Sequence, residues 1–153
     1  MGAGGLCPPE PVAGGSGPSQ GPEQSGEVTE RRQATGRRAE ALAAEYLEKQ
    51  GLRILARNWR QPGGEIDLVA DDAGTCVFVE VRARTGLDFG HPLEAIGVAK
   101  RAQVVRAAKL YLHLESPKAS GYRFDVVGVL FAPEGGGEPQ VFHVPNAFET
   151  TVY

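Results

Sequence analysis

Between Thr35 and Gln50 the apolar residues Ala39, Leu42, Ala43, Tyr46 and Leu47 recur at i, i+3, i+4, i+7 and i+8. That spacing marks one face of an amphipathic helix. Thr35 stands where it can cap the start, and Gly51 where it can end the helix. The period then changes. Leu52, Ile54 and Ala56 alternate within 52–60, which predicts a first strand, and Gln61-Pro62-Gly63-Gly64 is a turn signal. A second strand is predicted over 65–70, a turn at Asp71-Asp72-Ala73-Gly74, and a third strand rich in Val and Phe over 75–84. After a loop at 86–92, a helical pattern runs to Glu115 through Val104, Val105, Ala108, Tyr111 and Leu112. A fourth strand over 122–131, a Gly-rich loop at 133–139 and a short fifth strand over 141–144 complete the chain. The order is α-β-β-β-α-β-β, an α/β arrangement without internal repeats.

Composition changes this picture at the N-terminus. Residues 1–30 hold eight Gly and five Pro among Ser, Gln and Glu, too little apolar surface to offset the entropy of ordering. The expected organisation is a disordered tail over 1–30 and a single domain over 31–153. A hydrophobic fraction of 41% in 153 residues suffices for one core. The chain has no apolar run of the roughly 20 residues that span a bilayer. Its first residues, Met1 to Cys7, lack the basic start and apolar run of a secretory signal. Cys7 and Cys76 give neither a disulfide framework nor zinc spacing, so the expected location is cytoplasmic. The net charge of -3 is unevenly spread: residues 31–110 carry 14 Lys+Arg against 10 Asp+Glu. A basic middle segment points weakly to a polyanionic partner, and a mixed solvated surface explains the charge equally well.

Strand alternation gathers the candidate chemistry. Glu65, Asp67 and Val69 share one face of the second strand, opposite Ile66, Leu68 and Ala70. Cys76, Phe78, Glu80, Arg82 and Arg84 share one face of the third. With a loop at 71–74, Ala70 pairs with Thr75, Asp67 lies opposite Phe78, and Glu80 is diagonal to Asp67 on the same face. Carboxylates so grouped repel one another and are costly to desolvate. A divalent cation relieves that cost, and clustered oxygens suit Mg²⁺ or Mn²⁺. Such an ion would orient a phosphodiester and activate water, with Arg82 holding a phosphate oxygen. An exposed sheet face carrying ordinary solvated Glu, Asp and Arg pairs fits the spacing about as well.

The ordered series Gly36-Arg37-Arg38-Ala39-Glu40, Gly63-Gly64-Glu65-Ile66-Asp67-Leu68 and Phe78-Val79-Glu80-Val81-Arg82-Ala83-Arg84 resembles the YraN-like family of bacterial proteins. Phe89-Gly90-His91-Pro92, Glu94-Ala95-Ile96, Lys100 and Arg123-Phe124-Asp125-Val126-Val127 extend the match across about residues 35 to 150. The resemblance implies a restriction-endonuclease-like αβββαβ core, its mixed central sheet flanked by helices, similar to archaeal Holliday-junction resolvases. It also implies a PD-(D/E)xK-type site: Asp67 and Glu80 as metal ligands, the Val81 carbonyl as a further ligand, and Glu40 assisting from the first helix. Two positions depart from the motif. Ile66 stands where its proline would be, and Arg82 where its lysine would be. Arginine stays protonated, so it can clamp phosphate but cannot help deprotonate water.

The expected activity is therefore that of a Mg²⁺- or Mn²⁺-dependent endonuclease acting on branched or single-stranded DNA, with homodimerisation as resolvase-like relatives often show. The alternative is a nucleic-acid-binding or adaptor module that keeps the fold without cleavage. Arg82, Arg84, Lys100 and Arg101 are the candidate nucleic-acid contacts, with Gln103 beside them; a solvated helix face fits the helical members equally. Trp59 reads as a strand anchor, and Tyr46, Tyr111 and Tyr122 as core. His91, His113 and His143 lack metal-ligand spacing, and Asp125 stands where it can pair with an arginine.

Overall fold

A computed structural model describes residues 22–86, 91, 94, 96–134 and 136–150, with side chains from residue 25. Helix α1 (Pro22–Lys49) is followed by strands β1 (Arg53–Gln61), β2 (Gly64–Asp72) and β3 (Thr75–Thr85). Helix α2 (Val98–Glu115) then leads to β4 (Gly121–Phe131) and β5 (Gln140–Val144). The five strands form one mixed sheet in sequence order: β3 and β4 are parallel, every other neighbouring pair antiparallel. The parallel pair requires a crossover, and α2 supplies it.

Each face of the sheet is covered by one helix. Ala39, Ala43, Ala44 and Leu47 of α1 pack on Leu68, Ala70, Val77, Val79, Val127 and Val129. Val104, Ala107, Ala108 and Tyr111 of α2 pack on Ile66, Val69, Cys76, Phe78, Phe124 and Val126. Burial on both faces explains why β3 reads as a continuous apolar run from Cys76 to Val79 rather than a strict alternation.

Helix α1 starts well before Thr35 and extends into the segment expected to be disordered. Thr35 is not the cap: its Oγ1 donates to the Arg31 carbonyl at 2.9 Å inside the helix. The added turns are supported by local pairs such as Glu27–Arg31 at 2.8 Å, and residues 25–34 are all exposed. Residues 1–21 of the expected tail lie outside the described residues. The C-terminal end is as expected. Gly51 sits at φ +95°, its N–H donates to the Glu48 carbonyl, and the Leu52 N–H donates to Leu47. This is a Schellman motif closed by the Leu47 and Leu52 side chains in one core.

The β2–β3 turn is tighter than expected. Asp71 and Asp72 remain in the strand, and only Ala73 (φ +49°) and Gly74 (φ +96°) turn the chain. A two-residue turn with both φ positive matches the twist of the strands it joins. The register therefore moves by two residues: Ala70 faces Val77 rather than Thr75. An even shift leaves each side chain on its face. Alternation does break elsewhere. A register irregularity between Ile54 and Ala56 puts Ile54 against the α1 core and Ala56 against the α2 core. Ile66 and Val69, three residues apart, both face α2, so Ile66 does not share the face of Leu68 and Ala70. On the neighbouring strand, between the Arg57–Leu68 and Trp59–Ile66 pairs, Asn58 adopts φ +49°. Asp67 thus lies beside a kink in the sheet.

Candidate metal centre

The backbone ladder between β2 and β3 ends at Leu68–Val79. Beyond it, Asp67 Oδ2 accepts the Val81 N–H at 2.9 Å, doing the work of a strand carbonyl. Continuing the register by one residue places Asp67 across from Glu80, near enough for each carboxyl to shift the other's titration. In a strand the N–H and C=O of one residue point to the same side, so the Val81 carbonyl is also directed toward Asp67.

Lys100 reaches the pair from α2, its Nζ 3.2 Å from Glu80 Oε1. The reason is positional. Lys100 occupies the inward row of α2 that continues through Val104, Ala107, Ala108 and Tyr111, so its ammonium is delivered over the sheet. Glu40 approaches from the other helix. It lies one turn before the fully buried Ala44, hydrogen-bonds the Asn58 side chain and interacts with the charge of Asp67. The chain thus converges Glu40, Asp67, Glu80 and Lys100 on one end of β2 and β3.

Burial sets the protonation of this group. It pushes Glu80 up to about 7, Asp67's negative charge adds to the rise, and Lys100 opposes it. Asp67 is also raised by burial, against the Val81 hydrogen bond and the charge of Lys100. Glu40 is raised chiefly by burial, with Asn58 opposing and Asp67 adding. The charge of Lys100 opposes the rise at both carboxyls and is the counter-charge of the pair.

Among the described residues, no three His, Cys, Asp or Glu side chains stand close enough to hold an ion together. The neighbouring oxygen donors are the two carboxylates, with the Val81 carbonyl on the same edge of β3 as the Val81 N–H that meets Asp67. That set still fits Mg²⁺ or Mn²⁺, since Mg²⁺ keeps several waters and binds through one or two carboxylates. Glu40, bonded to Asn58, stands one step back.

The other predicted cations have different neighbours. Arg82 Nη1 donates to the Glu94 carbonyl. Arg84 donates to the Ala83 carbonyl and lines a separate hollow with Arg31 and Arg32. Arg101 donates to the Ile96 carbonyl and lies over the Phe148 ring at 5.7 Å. Trp59 is an anchor: its ring meets Tyr111 edge-on at 5.3 Å, and Nε1 donates to Glu115. Asp125, 1% exposed, takes Arg123, His143 Nε2 at 2.8 Å and the Asn146 N–H at 2.9 Å. Burial works against its charge, but these three partners outweigh that cost and hold its carboxyl below the ordinary range. Of the quoted motif residues, Phe89, Gly90, Pro92 and Ala95 lie outside the described residues. Asn58, absent from the expected site, had one available sign: asparagine is among the few residues that accept positive φ.

Residues 39–129, which contain Glu40, Asp67, Glu80 and Lys100, match the uncharacterised protein family UPF0102. The chain belongs to this family. A UPF0102 protein of Arthrobacter sp. (strain FB24) is 49% identical over 109 residues, covering 71% of this chain and 91% of that relative. One from Syntrophotalea carbinolica is 43% identical over 122 residues, 80% and 97% of the two chains. The UPF0102 match bears out the YraN-like resemblance of the sequence. Among the described residues of this UPF0102 chain, no helix is long and apolar enough to cross a membrane.

Proposed function

We propose that this chain is a metal-dependent endonuclease-like protein that acts on DNA, branched or single-stranded. The observation that carries the reading is the half-buried Asp67–Glu80 pair where the β2–β3 ladder ends, with Lys100 paired to Glu80. A protein seldom buries two adjacent carboxylates without using them, because each raises the cost of ionising the other. Asp67, Glu80 and the Val81 carbonyl would hold Mg²⁺ or Mn²⁺, which supplies charge stabilisation and water activation to phosphodiester hydrolysis. Asp67 is oriented by the Val81 N–H, Glu40 adds negative charge behind it, and Lys100 is the cation nearest to Glu80. With the Glu80 proton lost to solvent and the carboxylate's charge taken up by a bound ion, Lys100 would be free to meet a phosphate oxygen.

One observation favours a second reading, a DNA-binding module without cleavage. The motif cation Arg82 is occupied by a backbone carbonyl of the segment before α2. The test is incubation of the full chain with labelled four-way-junction, duplex and single-stranded DNA, with and without Mg²⁺ or Mn²⁺. Metal-dependent cleavage that disappears in Asp67→Ala/Glu80→Ala is the expected result. Binding without cleavage, unchanged in that variant, would establish the second reading instead.

A further inference from the structure

Lys100 also lines a cleft of about 420 Å³ between the β1–β2 turn and the first half of α2. Its polar lining is Arg60, Gln61 and Glu65 on one wall and Lys100, Gln103 and Arg106 on the other. The helix wall repeats every three residues, so these side chains form one edge of α2. We propose that this cleft holds the sugar–phosphate backbone of duplex nucleic acid next to the carboxylate pair, by contacts to phosphates rather than bases. The inference rests on the nuclease-like reading and selects within it: the substrate is branched nucleic acid, gripped through its duplex arms, rather than single strands.

Three features argue for this. Guanidinium and amide groups are donors suited to phosphate oxygens. Among the described residues the lining contains no aromatic ring, whereas single-strand binders rely on aromatic side chains to stack bases. The nearby Trp59 cannot serve, because its ring is packed on Tyr111 and its N–H is committed to Glu115. Finally, Arg60 is tied to Glu65 only loosely, at 3.7 Å with both side chains mostly exposed. A pair of that kind exchanges readily for a stronger anion, and Glu65 acts as a weak counter-charge that a phosphate displaces.

Anisotropy titrations of the full chain against labelled duplex DNA, with duplex RNA in parallel, in EDTA and across a range of salt, test this. Arg60→Gln/Arg106→Gln is expected to weaken binding about tenfold at low salt. It should also lower the slope of log affinity against log salt by about two, one for each lost phosphate contact. That loss in the DNA arm, the RNA arm or both supports the cleft and tells which backbone it takes. Glu65→Gln is expected to tighten binding severalfold, a gain that no misfolded variant would mimic. Arg31→Gln/Arg32→Gln, in the separate basic hollow, should leave both quantities unchanged. If the wild type binds but the Arg60/Arg106 variant matches it in affinity and slope, the cleft is refuted and the nuclease-like reading survives. A wild-type chain that binds neither duplex at low salt overturns the cleft; the nuclease-like reading falls only if the cleavage assay on junction, duplex and single-stranded DNA fails as well.

Discussion

Glu80 carries the sharpest consequence at the scale of single residues. Its carboxyl holds a proton up to about 7 in the folded chain, while the unfolded chain loses that proton near 4.5. Between those values the native state binds more protons, so metal-free stability falls as pH rises through the window. Asp67 and Glu40, both raised, tilt the same way. Glu80→Gln is expected to remove most of that slope and to stabilise the metal-free protein at pH 8 by on the order of 1 kcal/mol. Urea denaturation at several pH values measures it, and a variant as pH-sensitive as the wild type would contradict a raised Glu80 carboxyl as the source of the slope. Asp125 has the opposite sign. Its lowered carboxyl stabilises the fold above the ordinary range and loses that contribution as pH falls through its folded value. Asp125→Ala strands His143 and the Asn146 N–H and leaves Arg123 with Asp72 alone, and should cost about 3–5 kcal/mol. A calorimetric melt close to the wild type's would mean that the network is dispensable.

Among the elements, the contact of α2 with β2 positions Lys100. It depends on Gly64, where an added Cβ would lie 2.8 Å from Ala107 Cβ and 2.9 Å from Ala107 Cα. The second of these is backbone, so the helix itself would have to move. Gly64→Ala is expected to destabilise by about 1–3 kcal/mol through overpacking and to draw Lys100 away from Glu80. Ala107→Gly should relieve the Cβ clash but not the Cα approach, and itself costs about 1 kcal/mol of helix propensity. A double-mutant cycle should therefore show partial coupling; simple additivity would mean that the two residues do not meet. Elements were largely legible from pattern. Period and punctuation fix the strands and the inward faces of both helices. Two features were not. The early start of α1 follows from helix propagation through polar turns with no core to mark them. The kink at Asn58 and Asp67 follows from a backbone choice that side-chain alternation does not encode.

For the whole molecule, two helices sandwich one sheet, and the splayed end of β2 and β3 is where both helices deliver a charged side chain to the same place. Glu40 comes from α1 and Lys100 from α2. The carboxylate pair was legible because an even register shift keeps faces, so the tighter hairpin changed which residues oppose but not which side they occupy. The reach of Lys100 to Glu80 was only partly legible, since it depends on how a crossover helix settles on the sheet. The separate environments of Arg82, Arg84 and Arg101 depend on loop and neighbour geometry that spacing cannot specify. The most direct test of the account is calorimetric titration of Mn²⁺ into the wild type, Asp67→Ala and Glu80→Gln at pH 8. The account predicts one site in the wild type, with proton release that grows as pH falls toward 7, and no measurable binding in either variant. Equal Mn²⁺ binding in all three chains, or none in the wild type, would contradict a metal centre at Asp67 and Glu80.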